Sequence, residues 1–202
     1  SLQRLRLSSI DVAEIDDNLF ELIAYNTRIM PHFHISLQSG DNMILKRMKR
    51  RHNREQIISF CKKLRAIRPE VSFGADIIAG FPTETDDMFE NTKKLIIEAG
   101  LQYLHVFPYS EREGTPASRM PQVPKEIRKK RAAILRMEGK KELYKFFHNN
   151  IGRSVDVLVE KNNLAHTENF IPVKLQGLNT VGKIIKVKLS SFEMDYMIAE
   201  SL

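Results

Sequence analysis

A chain of 202 residues that is 42% hydrophobic and 28% charged has an ordinary globular composition, which excludes a disordered or collagen-like protein. No apolar run approaches the roughly 18 residues of a membrane-spanning helix, so no membrane partner is expected. A formal net charge of +7 favours a polyanion such as RNA, and the single cysteine, Cys61, excludes an internal disulfide framework and fits a reducing cytoplasm.

The chain opens on Ser1, with no initiator Met or leader, and runs directly into strand-like Arg4-Leu5-Arg6-Leu7, as expected of a piece of a longer protein. Strand signals at 4–9, 33–38, 72–80 and 103–109 alternate with helical patterns. Asn53 and Gln56 make a capping-box start for a helix whose apolar stripe is Ile57, Phe60, Cys61, Leu64 and Ile67. Thr85 caps the next helix, with Asp86 and Asp87 in its first turn, a stripe of Met88, Thr92, Leu95, Ile96 and Ala99, and Gly100 at its end. This alternation predicts an α/β fold with a parallel sheet, a partial TIM-like (β/α) barrel, because its four strands fall short of the usual eight.

Residues 123–150 read as a long basic helix carrying Lys125, Arg128, Lys129, Lys130, Arg131, Arg136, Lys140 and Lys141. After Gly152 the apolar period changes to two, in Val155, Val157 and Val159, then Ile171, Val173 and Leu175, then Ile185, Val187 and Leu189. With turns at Asn162-Asn163, Gly177 and Gly182, this predicts a small antiparallel β-barrel. The expected division is a barrel part at 1–150 and a second domain at 151–202.

Successive strand residues face opposite sides of a sheet. Arg4, Arg6 and Ser8, then His32, His34, Ser36 and Gln38, then Ser72, Gly74 and Asp76 therefore form three polar or small faces in succession. Strands covered by helices are usually apolar on both sides, so these faces point to a ligand-lined interior; the alternative is an antiparallel sheet with one wet face, against which the intervening helices count. Asp76 is the sharpest anomaly, because a carboxylate beside Ile77 and Ile78 needs a partner; it serves a ligand, pairs with Arg4 or Arg6, or does both. Gly80, just after that strand, would let backbone approach a ligand closely. Cys61 lies on its helix's apolar stripe and reads as core. The basic run at 46–54 is either a solvated helix face or a polyanion contact. No catalytic or metal-ligating set stands out.

Four motifs in order carry a resemblance: His32-Phe33-His34-Ile35-Ser36-Leu37-Gln38-Ser39-Gly40; Leu45-Lys46-Arg47-Met48-Lys49-Arg50-Arg51; Asp76-Ile77-Ile78-Ala79-Gly80-Phe81-Pro82-Thr83-Glu84-Thr85; and Val106-Phe107-Pro108-Tyr109-Ser110-Glu111-Arg112-Glu113-Gly114-Thr115-Pro116-Ala117. Together they resemble the methylthiotransferase branch of the radical S-adenosylmethionine (SAM) enzymes. His166-Thr167-Glu168-Asn169-Phe170 resembles the OB-like TRAM module that ends them. Ser36-Leu37-Gln38-Ser39-Gly40 and the stretch from His105 to Ser110 are most similar to the tRNA threonylcarbamoyladenosine branch.

The resemblance implies methylthio transfer to a modified adenosine of the tRNA anticodon loop, using SAM and [4Fe–4S] clusters held by cysteines. It also implies that this chain begins around the family barrel's fourth strand, lacks the N-terminal half with both cluster sites, and is inactive alone. Ala165 and Asp41 depart from the family pattern. By the same resemblance Ser8, Ser9, Gln38, Ser39, Asp76, Gly80, Phe107 and Tyr109 belong to the SAM and nucleoside pocket. Arg50, Arg51, Arg112, His166, Lys174, Lys183, Lys186 and Lys188 become candidate RNA contacts. Two alternatives stay open: a standalone RNA-binding protein with a non-catalytic barrel remnant, and a fragment of a ribosomal-protein methylthiotransferase.

Overall fold

The structure, a computed structural model, describes residues 2–177 and 180–201. Four parallel strands lie side by side in chain order: β1 (Leu5–Ile10), β2 (Ile29–Gln38), β3 (Ser72–Ala79) and β4 (Tyr103–Pro108). The connections carry α1 (Asp17–Tyr25), α2 (Asn42–Arg47), α3 (Arg54–Ile67) and α4 (Asp86–Ala99), and α5 (Lys125–His148) follows β4. Local chemistry sets several of these boundaries. Asn53 and Gln56 make the reciprocal capping box of α3. The Thr85 side chain accepts from the Met88 N–H at the start of α4, and Gly100 ends that helix in the left-handed region at φ 61.

One face of the sheet is dry. Phe33, Ile35, Leu37, Phe73, Ala75 and Ile77 are wholly buried in a core shared with Ile57, Cys61 and Leu64 of α3, Leu95, Ile96 and Ala99 of α4, and Ala132 and Leu135 of α5. Two members of the expected helix stripes are corrected. Ile67 is exposed, and Phe89 takes the buried place assigned to Met88. Met88 sits in the capped first turn, and the regular spacing of Phe89, Thr92, Leu95, Ile96 and Ala99 starts one residue later.

The remaining strands, β5 (Ser154–Val159), β6 (Leu164–Thr167), β7 (Pro172–Leu175), β8 (Ile184–Glu193) and β9 (Tyr196–Ser201), close into a barrel in the order β5-β6-β7-β9-β8. All neighbours are antiparallel except β7 and β9, which pair in parallel, so the expected antiparallel barrel is corrected at this contact. A ring with an odd number of strands cannot alternate direction all the way round. The inward residues Val157, Val159, Ala165, Val173, Val187 and Leu189 form its core, and Leu143 and Phe147 at the end of α5 pack onto it. One helix thus joins both cores.

Candidate ligand cleft and nucleic-acid interface

The other face of the four-stranded sheet carries the polar residues. At the C-terminal ends of the strands it opens into a cleft of about 620 Å³ lined by Gln38, Asp76, Ile78, Phe107, Tyr109 and Arg112, among others. This is the end of a parallel β/α sheet where ligands bind. Gln38 turns the chain at the end of β2 with φ 71, an uncommon conformation for a non-glycine residue. Tyr109 packs edge-on to Phe81 at 5.4 Å, with the Arg128 guanidinium over its ring at 5.2 Å. Among the described residues Arg112 has no ion-pair partner, leaving an exposed guanidinium at the cleft.

Asp76 is partnered by neither Arg4 nor Arg6. Its Oδ1 lies 3.0 Å from His34 Nε2 and 3.2 Å from His105 Nδ1. Register explains this, because Asp76 lies opposite His105 on β4 and His34 lies opposite Gly74 on β3, whereas β1 is two strands away.

Gln38, Asp76, Phe107 and Tyr109 therefore converge on the cleft, whereas Ser8, Ser9, Ser39 and Gly80 do not line it. Ser8 and Ser9 are exposed on β1, an edge strand of the sheet. Ser39 is buried toward α4, its Oγ 3.4 Å from Thr92 Oγ1 and accepting from the Asp41 N–H at 3.2 Å. Gly80 has φ 72, and a Cβ there would come within 2.6 Å of Arg128 Cγ. Close approach of α5 thus accounts for the glycine. Below it Glu84 is buried with Arg131 at 2.7 Å, and Arg131 also reaches Asp86 at 2.7 Å. Burial pushes the Glu84 carboxyl up, against the pull of Arg131.

At the N-terminal ends of the strands the same face is closed by the segment joining β6 to β7. Ser72 Oγ donates to the Asn169 carbonyl at 2.7 Å, so it accepts from His32 Nδ1 at 2.8 Å. That assigns the Nδ1–H tautomer to a neutral His32. Burial first, then the nearby Arg6 guanidinium, lowers the His32 pKa to about 3. Phe170 stacks on His32 at 4.5 Å and on His166 at 4.8 Å, with Arg6 over its ring at 4.7 Å. His166, a candidate RNA contact, thus lies at this junction, with Nδ1 2.9 Å from Glu160.

The basic segments divide sharply. Arg47 donates to the Thr83 hydroxyl at 2.6 Å, Arg50 to the Ser36 carbonyl at 2.7 Å, and Arg54 to Gly40 and Asn91 carbonyls and Glu98. Arg51 pairs with Glu14. On α5, Arg128 and Arg131 are buried, and Arg136 donates to the Val106 carbonyl at 2.6 Å. These arginines fasten the chain to itself, a use that neither the solvated-face nor the polyanion reading of 46–54 anticipated. By contrast Lys183, Lys186 and Lys188 are exposed at and along β8, with Lys186 3.1 Å from Asp156. Exposed Lys174 on β7 lies over Tyr196 at 5.3 Å.

A half barrel with a ligand cleft at its strand C-termini matches a known class. The family described as the Radical SAM superfamily matches residues 3–96. Coproporphyrinogen III oxidase from Escherichia coli superposes over 93% of this chain and 46% of its own, with a TM-score of 0.51 and 15% identity, which supports the fold. The chain is 72% identical over 196 residues to the threonylcarbamoyladenosine tRNA methylthiotransferase MtaB of Rickettsia prowazekii, covering 97% of this chain and 47% of that protein. MtaB of Aquifex aeolicus is 39% identical over 92% of this chain and 46% of its own length. The tRNA-2-methylthio-N(6)-dimethylallyladenosine synthase of Oceanobacillus iheyensis is 34% identical over 94% of this chain and 38% of its own. The chain is similar over nearly its whole length to methylthiotransferases of the radical SAM family, and it spans about half the length of these curated relatives.

The iron–sulfur clusters that this family implies do not fit the residues present. Cluster ligation needs several cysteine thiolates. The single cysteine, Cys61, is wholly buried on α3, and burial pushes its thiol up to about 12. Among the described residues no helix is long and apolar enough to cross a membrane.

Proposed function

We propose that this chain is the SAM- and RNA-binding part of a tRNA methylthiotransferase that modifies threonylcarbamoyladenosine in the cytoplasm. In this reading residues 1–150 hold the nucleoside end of SAM in the cleft, and residues 151–202 bind tRNA backbone. The observation that carries it is the convergence of Gln38, Asp76, Phe107 and Tyr109 at the strand C-termini of a chain 72% identical to MtaB. Phe107 and Tyr109 offer aromatic surface to an adenine, Gln38 and Asp76 offer polar partners to ribose hydroxyls, and Arg112 offers a guanidinium to phosphate. Electron delivery to SAM is cluster chemistry whose thiolates this sequence does not contain, so the chain alone leaves SAM intact.

Calorimetric titration of the full chain with S-adenosylhomocysteine tests the cleft. Saturable binding that Tyr109→Ala weakens at least about tenfold is expected, since removing an interaction of about 1.4 kcal/mol has that effect. No heat, or equal affinity in the variant, overturns the reading. A second reading, a standalone RNA-binding protein with a non-catalytic barrel remnant, rests on the sequence holding a single cysteine, buried in the core. It expects tRNA binding without S-adenosylhomocysteine binding, so a parallel titration with tRNA separates the two.

A further inference from the structure

Three side chains on three adjacent strands meet below the cleft in an arrangement that neither nucleoside nor RNA binding requires. His34 on β2, Asp76 on β3 and His105 on β4 place their donor atoms within 4.8 Å of one another. The two imidazole nitrogens lie 3.0 and 3.2 Å from Asp76 Oδ1, and the ring centroids are 4.9 Å apart. Two ligand atoms each about 2.05 Å from one ion are about 2.9 Å apart in octahedral and about 3.3 Å apart in tetrahedral geometry. The observed separations from Asp76 fall in that interval. A carboxylate accepting from two neutral imidazoles has similar spacing, so the discriminating property is affinity for a cation.

Placement favours a cation site in three further ways. All three residues project from hydrogen-bonded strands in fixed register, which preorganises them better than loops would. Gly74 leaves the room that the His34 ring occupies, because a Cβ there would come within 2.6 Å of His34 Nδ1. Exposure is graded across the set, with side chains 14% exposed at His34, 32% at Asp76 and 64% at His105, so the group is reachable from solvent. Asp76 also lines the cleft, which gives a bound ion an open side facing it.

We propose that His34, Asp76 and His105 form a two-histidine, one-carboxylate site for a single first-row divalent cation, with its remaining positions open to the cleft. Two imidazoles and one carboxylate select zinc, cobalt, nickel or ferrous iron over magnesium or calcium, which take oxygen donors. The open positions would accept an oxygen donor of the cleft's ligand. The site contains no thiolate and is distinct from any iron–sulfur cluster. It stands whether or not the cleft binds SAM.

The test is titration of cobalt(II), and separately zinc(II), into the chelator-treated full chain, followed by visible absorption and by calorimetry. One equivalent should bind, with ligand-field bands characteristic of mixed nitrogen and oxygen donors. His105→Ala, at the most exposed ligand, and Asp76→Asn should each weaken binding at least about tenfold while far-ultraviolet circular dichroism stays unchanged. Magnesium(II) in excess should not compete. Absence of binding overturns the proposal, as does binding that persists unchanged in folded His105→Ala, which would place the ion at another histidine. Loss of cobalt binding with S-adenosylhomocysteine binding retained in His105→Ala would separate this site from the nucleoside cleft.

Discussion

In the half barrel, Arg47, Arg50, Arg54, Arg128 and Arg131 aim their guanidinium groups at hydroxyls, carbonyls and carboxylates of the same chain. In the small barrel, Lys183, Lys186 and Lys188 project from and beside the outer face of β8, and among the described residues only Lys186 of the three is ion-paired, with Asp156. The half barrel carries the whole net charge of +7, with 26 Lys+Arg against 19 Asp+Glu in 1–150, whereas 151–202 has six of each, and the cations of the two regions are used differently. The planar fork of arginine satisfies several acceptors at once and tolerates burial, whereas a lysine ammonium is a strongly hydrated point charge on a flexible stem. These half-barrel arginines therefore work mainly for stability, whereas Lys125 and Lys130 of α5, like the lysines of β8, stay exposed and available for a polyanion.

The largest expected effect comes from breaking an internal fastener. Arg131→Ala leaves Glu84 buried without its cation and should cost on the order of 3–5 kcal/mol, read as a lower urea midpoint. An unchanged midpoint would erase the distinction between the two uses of charge. Next is the junction between the regions. Phe170→Ala removes the ring that His32, His166, Tyr103 and Arg6 contact, and should cost roughly 2–3 kcal/mol in the same assay. A change within about 0.5 kcal/mol would show that the junction contributes little.

A smaller effect is expected from acid. Folded His32 stays neutral down to about pH 3, whereas an ordinary histidine takes up its proton near 6.5. Between those values the unfolded chain binds the extra proton, so stability falls as pH drops through the window. The His32 contribution is at most about 1.4 kcal/mol per pH unit. Urea midpoints at pH 7 and pH 5 should differ less in His32→Asn than in the parent, and an equal difference would contradict a buried neutral imidazole.

Legibility followed locality. The caps at Asn53 and Thr85 and the stop at Gly100 were readable because each depends on a few neighbouring residues. The polar faces of β2 and β3 were readable from alternation, and they led to Gln38 and Asp76. What alternation could not supply was register: the partners of Asp76 are His34, which is 42 residues before it, and His105, on the next strand after it. The parallel pairing of β7 with β9 likewise exists only in the closed ring. Gly80 and Ser39 were read toward a ligand because no sequence pattern reveals that Arg128 and Thr92 approach them. The same limit applies to the basic segments, since a run of arginines looks alike whether its acceptors are phosphates or the protein's own carbonyls.

The most direct measurement is the salt dependence of tRNA binding by the full chain, compared with K183A/K186A/K188A. Each phosphate that is no longer neutralised should reduce the slope of log affinity against log salt by about 0.7–0.9, so the triple variant should flatten it by roughly 2 units. A slope unchanged in that variant would contradict the assignment of RNA binding to the small barrel.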